Sequence, residues 1–142
     1  MINIKNISRE LDYQKICDLL HFALDDEVKD VTINIIEYNS LLDRLSTPDL
    51  TINALTYPTN TEHVYSMVIR RKAEDIENLI LHEAAHLMQF EEGRLKLNIQ
   101  SGRCEWDGVT FSASFPYLAR PWEKEAITKQ HDLMAAWRHK NK

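Results

Sequence analysis

Between Ile76 and Phe90 apolar residues return at helical spacing (Ile76, Leu79, Ile80, Ala84, Leu87, Phe90), while His82, Glu83 and His86 fall along the border of that stripe. A helix patterned this way must bury its apolar face, so any fold this chain adopts carries the three polar side chains to the edge of its core. Four residues turn an α-helix by about 400°, which leaves the two imidazoles roughly 40° apart, one above the other, within reach of one metal ion. Glu83 lies about 100° round from His82, placed to work on a water at that ion without ligating it. The competing reading has both histidines flanking the core and hydrogen-bonding locally, which leaves the Glu83 spacing to coincidence.

The flanking sequence supports a helix here. Glu74 or Asp75 suits its N-terminus by charge, and Glu91-Glu92-Gly93 ends it with glycine at a C-cap. Earlier in the chain, Tyr13, Ile16, Cys17, Leu20, Ala23 and Leu24 recur at helical spacing behind Ser8 as N-cap, and Asp25-Asp26-Glu27 marks the end. Val31 to Tyr38 reads as a strand. Ser40 to Leu45 reads as a short helix capped by Asn39 or Ser40 and closed by Pro48. Leu50 to Tyr57 and His63 to Arg70 read as two further strands joined by the turn at Pro58-Thr59-Asn60-Thr61, an antiparallel hairpin. A second hairpin is expected over Arg103 to Phe111 with Asp107-Gly108 at its turn, and a last helix from Pro121 to about His139. The expected fold class is α+β, with all 142 residues in a single domain.

Composition excludes several function classes. Hydrophobic residues at 44% and charged residues at 27% are globular proportions, and a net charge of −5 argues against a nucleic-acid footprint. The short Arg70-Arg71-Lys72 run is expected to end a strand in solvent. There is no apolar run of about 18 residues and no apolar signal core, so neither membrane spanning nor export is expected. Cys17 and Cys104 are isolated from each other and from any Cys-x-x-Cys pattern. A reducing cytoplasm, with both thiols as small core residues, is the simple reading.

A catalytic zinc keeps three protein ligands and one position for water, so a third ligand must come from elsewhere. Cys104, Glu105, Asp107, Glu123, Glu125, His131 and Asp132 are the downstream candidates. On the last helix Trp122, Ala126, Leu133 and Trp137 define a buried face, flanked by Ile127 and Met134. Glu123 falls inside that arc. Glu125 falls beside Asp132 on the far side, four residues ahead of Lys129, as in an ordinary exposed ion pair. A carboxylate aimed at the core needs a cation, which favours Glu123 over Glu125 as the ligand, with a salt bridge to Arg120 or Arg103 as the competing explanation. His131 and Cys104 remain lesser candidates.

The segment from Tyr117 to Ala126, Tyr-Leu-Ala-Arg-Pro-Trp-Glu-Lys-Glu-Ala, resembles the Tyr-x-x-x-Pro-Trp-Glu-x-Glu-Ala stretch of small, mostly phage-encoded zincin-type metallopeptidases. Trp106-Asp107-Gly108 is similar to their Trp-x-Gly turn. The similarity covers about Ile76 to Ala126. It implies a minimal zincin-like domain, with a small sheet, a His-Glu-x-x-His helix and a C-terminal helix carrying the third ligand, and it implies a peptide or protein substrate. In related gluzincin-like families the first glutamate of a Glu-x-x-Ala pattern binds zinc, and carried over that residue is Glu123. An aspartate or asparagine often follows the alanine; here Ile127 stands there, which leaves support of the site unassigned.

From these residues the expected chemistry is hydrolysis of a peptide bond at Zn²⁺ held by His82, His86 and Glu123, with Glu83 as general base. Tyr117, just before the last helix, is a candidate hydrogen-bond donor to the oxyanion, although tyrosines pack cores equally well. The strand His63 to Arg70 is expected to be an edge on which an extended substrate docks, against the alternative of an internal strand. An alternative function is a non-catalytic interaction protein, in which a zincin-like shell serves as a structural metal site or a surface gripping a host protein. A protease that cuts a repressor is a third possibility.

Overall fold

Val31, Ile33 and Ile35 alternate inward along one strand, and the strand beside it, Val64–Ile69, is buried at five successive positions, so it must be covered on both faces. These two strands are the middle of the molecule. The computed structural model describes residues 1–6, 12–98 and 100–141. In chain order the elements are β1 (Ile2–Asn6), α1 (Tyr13–Leu24), β2 (Val31–Glu37), α2 (Asn39–Leu45), β3 (Ala54–Pro58), β4 (Val64–Ile69) and α3 (Ile76–Glu91). β5 (Leu95–Leu97), β6 (Cys104–Trp106), β7 (Val109–Phe111), a 3₁₀ turn at Tyr117–Ala119 and α4 (Pro121–Lys140) follow. The fold is mixed α+β, as expected.

The main sheet has the order β1-β2-β4-β3, with β1, β2 and β4 parallel and β3 antiparallel to β4. This corrects the expectation for His63 to Arg70. That segment supplies β4, which hydrogen-bonds to β2 on one side and β3 on the other, so its backbone has no free edge to offer a substrate. The edge nearest α3 is β3. The hairpin β3–β4 is present, but β3 begins at Ala54 rather than Leu50, because Leu50 instead closes a tight bridge with Thr47.

β1 was not foreseen. It is a short run whose place in the sheet comes from its parallel pairing with β2 (Ile2 opposite Val31, Ile4 opposite Ile33) through the α1 crossover. The Asp12 side chain caps α1 by accepting from the Lys15 N–H at 3.2 Å, and the expected cap, Ser8, lies outside the described residues. Tyr38 stands at the N-cap of α2, while the Asn39 side chain accepts from the Arg71 backbone.

One core joins Ile16, Leu20 and Leu24 of α1, Ile33 and Ile35 of β2, Met67 and Ile69 of β4, Ile80, Leu81 and Leu87 of α3, and Met134 of α4. A second, smaller one joins Leu95, Trp106 and Trp122 beneath the three-stranded sheet β5-β6-β7. Helix α3 lies between these cores and is buried over its whole middle, Ile80–Leu81 and Glu83–Gln89, a wider burial than its apolar stripe implies. Its sequence ends as glycine predicts. Gly93 adopts φ +74°, its N–H donates to the Phe90 carbonyl at 3.0 Å, and Arg94 N–H donates to Gln89 carbonyl at 3.2 Å, the paired bonds of a Schellman motif. No helix among the described residues is long and apolar enough to cross a membrane.

Candidate metal centre

Two helices build the centre. The face of α3 that bears His82 and His86 packs against the first turns of α4, which Pro121 starts at its first helical position. Glu123 sits inside the apolar arc of α4, between buried Trp122 and Ala126, and is itself 5% exposed. Its Oε1 lies 3.0 Å from His82 Nε2 and 3.0 Å from His86 Nε2. The two rings stand edge to face with centroids 4.8 Å apart. Among the described residues no arginine pairs with Glu123; the ion-pair partners of this buried carboxylate are the two imidazoles.

Each ring is held from behind by an amide. The Gln130 Oε1 lies 2.9 Å from His82 Nδ1, and Gln130 Nε2 donates onward to Asn78 Oδ1 at 3.2 Å. Gln89 Oε1 lies 2.9 Å from His86 Nδ1, and its Nε2 donates to the Trp122 carbonyl at 3.0 Å and to Glu125 Oε1 at 3.2 Å. Because each amide nitrogen faces acceptors, each amide oxygen faces a ring. Both Nδ1 atoms therefore carry hydrogen, and both Nε2 atoms point at Glu123. Two Nε2 lone pairs facing a carboxylate oxygen need positive charge between them, as protons or as a cation. Burial alone would lower the His86 pKa, but the hydrogen bond and charge of Glu123, with Glu83 and Gln89 behind, push it up to about 9. Burial works to raise the Glu123 carboxyl, yet the bonds from His82 and His86 hold it well below the usual range.

The donor set fits a divalent metal. His82, His86 and Glu123 form a group able to hold one, with ligand atoms all within 4.8 Å of one another. Ligands about 2.0–2.1 Å from a tetrahedral zinc stand about 3.3 Å apart, close to the 3.0 Å between Glu123 Oε1 and each Nε2. Among the described residues this is the one such group of three.

Glu83 and Tyr117 are brought to the same place. Glu83, 4% exposed, accepts from Thr56 Oγ1 of β3 at 2.8 Å and lines a cleft of about 440 Å³ together with His86, Glu123 and Tyr117. Tyr117 lines the cleft with Glu123, and burial followed by the charge of Glu123 raises its pKa. The cleft walls are mostly apolar, including Leu50, Ile52, Phe90, Leu97, Phe115 and Trp122.

The other candidates go elsewhere. Glu125 accepts from Arg94 Nη2 at 2.6 Å and from Gln89, while Lys129 reaches Glu27; the exposed pair expected between Glu125 and Lys129 is replaced because β5 brings Arg94 alongside α4. Cys104 lines the cleft but lies outside the ligand group, and both cysteines are free and half-buried. Asp107 pairs with Arg94, Glu105 is half-buried on β6, and His131 and Asp132 are exposed on α4. His63 is an exposed partner of Glu91. Ile127 is 37% exposed, and the support behind His82 comes instead from Gln130, one helical turn later. Sequence reasoning missed both glutamines. The signal was available, since Gln89 lies three residues after His86 on a buried face and Gln130 lies seven after Glu123. Comparison with family models, with curated proteins and with solved structures finds no match to this chain.

Proposed function

We propose that this chain is a zinc-dependent peptidase with a minimal zincin-like site. The observation that carries the reading is Glu83, a buried carboxylate that ligates nothing, is held by Thr56, and faces the cleft beside the His82–His86–Glu123 group. A metal that only braced the fold would need no such group. Zinc bound there supplies Lewis acidity, which activates water and polarises a carbonyl.

The chain supplies the rest. Glu83 takes a proton from the attacking water and passes it to the leaving amine as the C–N bond breaks. Thr56 holds Glu83 Oε1, so Oε2 is the oxygen left to exchange protons. Tyr117 donates its hydroxyl hydrogen to the oxygen that gains charge as the carbonyl is attacked. The substrate is an extended peptide lying along β3, whose outer edge pairs with no strand among the described residues and whose Ala54, Leu55 and Thr56 line the cleft. The apolar walls exclude water and strengthen each of these interactions.

The test uses zinc-loaded protein and a library of internally quenched peptides. Wild type should cleave members of the library and lose activity to chelators. Glu83→Gln should bind zinc normally and show no turnover, whereas His86→Ala should lose both. Zinc binding by a wild type that cleaves nothing, in a folded chain that unfolds when zinc is removed, would instead make this a structural metal site.

A further inference from the structure

Glu125 was the rival for third ligand, and its actual contacts suggest a different role. Arg94 grips it with two nitrogens, Nη1 to Oε1 at 3.0 Å and Nη2 to Oε2 at 2.6 Å. The same guanidinium bonds Asp107 through Nε at 3.0 Å and lies over the Trp106 ring, 4.5 Å from its centroid. Glu125 then accepts from Gln89, whose other end holds His86. Arg94 fastens Gln89 a second time, through its own N–H to the Gln89 carbonyl.

We propose that Glu125, clamped by Arg94, is a positioning residue for the metal centre, acting through Gln89 to keep His86 in the tautomer that offers Nε2 to a divalent cation. The proposal rests on the metal reading of the site but not on peptidase activity. An amide side chain can present either end to a ring. If Gln89 were flipped, its oxygen would face the Trp122 carbonyl and the Glu125 carboxylate, two acceptors with no hydrogen between them. Its NH₂ would then demand a lone pair at His86 Nδ1, moving the ring hydrogen to Nε2, where it blocks the metal. Trp122 carbonyl alone favours the working orientation; the Glu125 charge enforces it. The β5-β6-β7 sheet, which contributes no ligand, thereby reaches the centre through Arg94 and Asp107.

Zinc affinity in competition with a chromophoric chelator tests this, measured on wild type, Gln89→Met, Glu125→Ala and the double variant, with urea unfolding of each metal-free chain alongside. The Glu125 side chain is 39% exposed, so its truncation opens no cavity in the core, and the urea curves check that each variant is folded. Gln89→Met should weaken zinc binding about 10- to 100-fold and Glu125→Ala on the order of tenfold. The double variant should be no weaker than Gln89→Met alone, because both act through one amide. A merely structural role would lower unfolding stability and leave zinc affinity within about twofold in all three, which overturns the proposal, as would losses that multiply. Wild type that takes up no zinc would overturn the metal reading and this proposal together. Intact zinc behaviour without turnover would strike the peptidase reading alone.

Discussion

Glu123→Gln in the metal-free protein gives a pH dependence whose sign and size follow from the structure. Glu123 holds His86 as a buried imidazolium, its pKa at about 9 against an ordinary 6.5. That gap is worth roughly 3 kcal/mol of stability, fully present below pH 6.5 and lost as pH rises through about 9. Glu123 itself has a depressed pKa, so its contribution is present above the ordinary carboxyl range and is lost only as the solution becomes strongly acidic. Between about pH 5 and 6.5 both terms act in full. Replacing the carboxylate by an amide leaves buried His86 with only the weaker influence of the Glu83 charge, and burial then favours its neutral form. Urea unfolding with chelator present, at half-unit steps from pH 6 to 9.5, gives the difference between wild type and variant. That difference should shrink by roughly 3 kcal/mol across the range. His63, whose raised pKa comes from Glu91 and not from Glu123, behaves alike in both proteins and cancels. A difference that stays flat from pH 6 to 9.5 would refute the claim that a proton sits between His86 and Glu123 when the metal is absent.

Two further substitutions separate the roles assigned in the cleft. Tyr117→Phe should lower kcat by about 10²-fold with little change in KM or zinc affinity, as expected for a donor used only when charge develops on the substrate; an equal rise in KM would place Tyr117 in ground-state binding instead. Thr56→Val removes the bond that orients Glu83 and should lower kcat about tenfold while zinc affinity stays put, read by steady-state kinetics and chelator competition. Unaltered kcat in that variant would mean that Glu83 needs no holding from β3.

Helical periodicity made much of the site readable in advance. The angle between positions 82 and 86 put both imidazoles on one side of α3, and the apolar arc of α4 put Glu123 indoors without naming its partners. Pro121, Gly93 and Asp107-Gly108 each marked a boundary that the backbone observes, since φ restriction and left-handed turns are local properties. Strand order was not local. Nothing in His63 to Arg70 says that β2 lies on its far side, because a parallel neighbour arrives through a crossover from far away in sequence. β5 is three residues long and carries no pattern that could be distinguished from a loop. Its neighbour Arg94 consequently came unannounced, and with it the reassignment of Glu125 from surface ion pair to part of the scaffold behind His86. Gln89 and Gln130 were passed over because amides occur on most surfaces. Their significance lies in which end faces the ring, and only three-dimensional placement shows that.

Zinc-edge X-ray absorption on protein loaded at neutral pH tests the central claim most directly. The account predicts one zinc per chain in a shell of four nitrogen and oxygen neighbours at about 2.0–2.1 Å, with the outer-shell signature of two imidazoles, and loss of one imidazole in His82→Ala. A sulfur neighbour at about 2.3 Å, which would bring in Cys104, or no stoichiometric zinc at all, would contradict it.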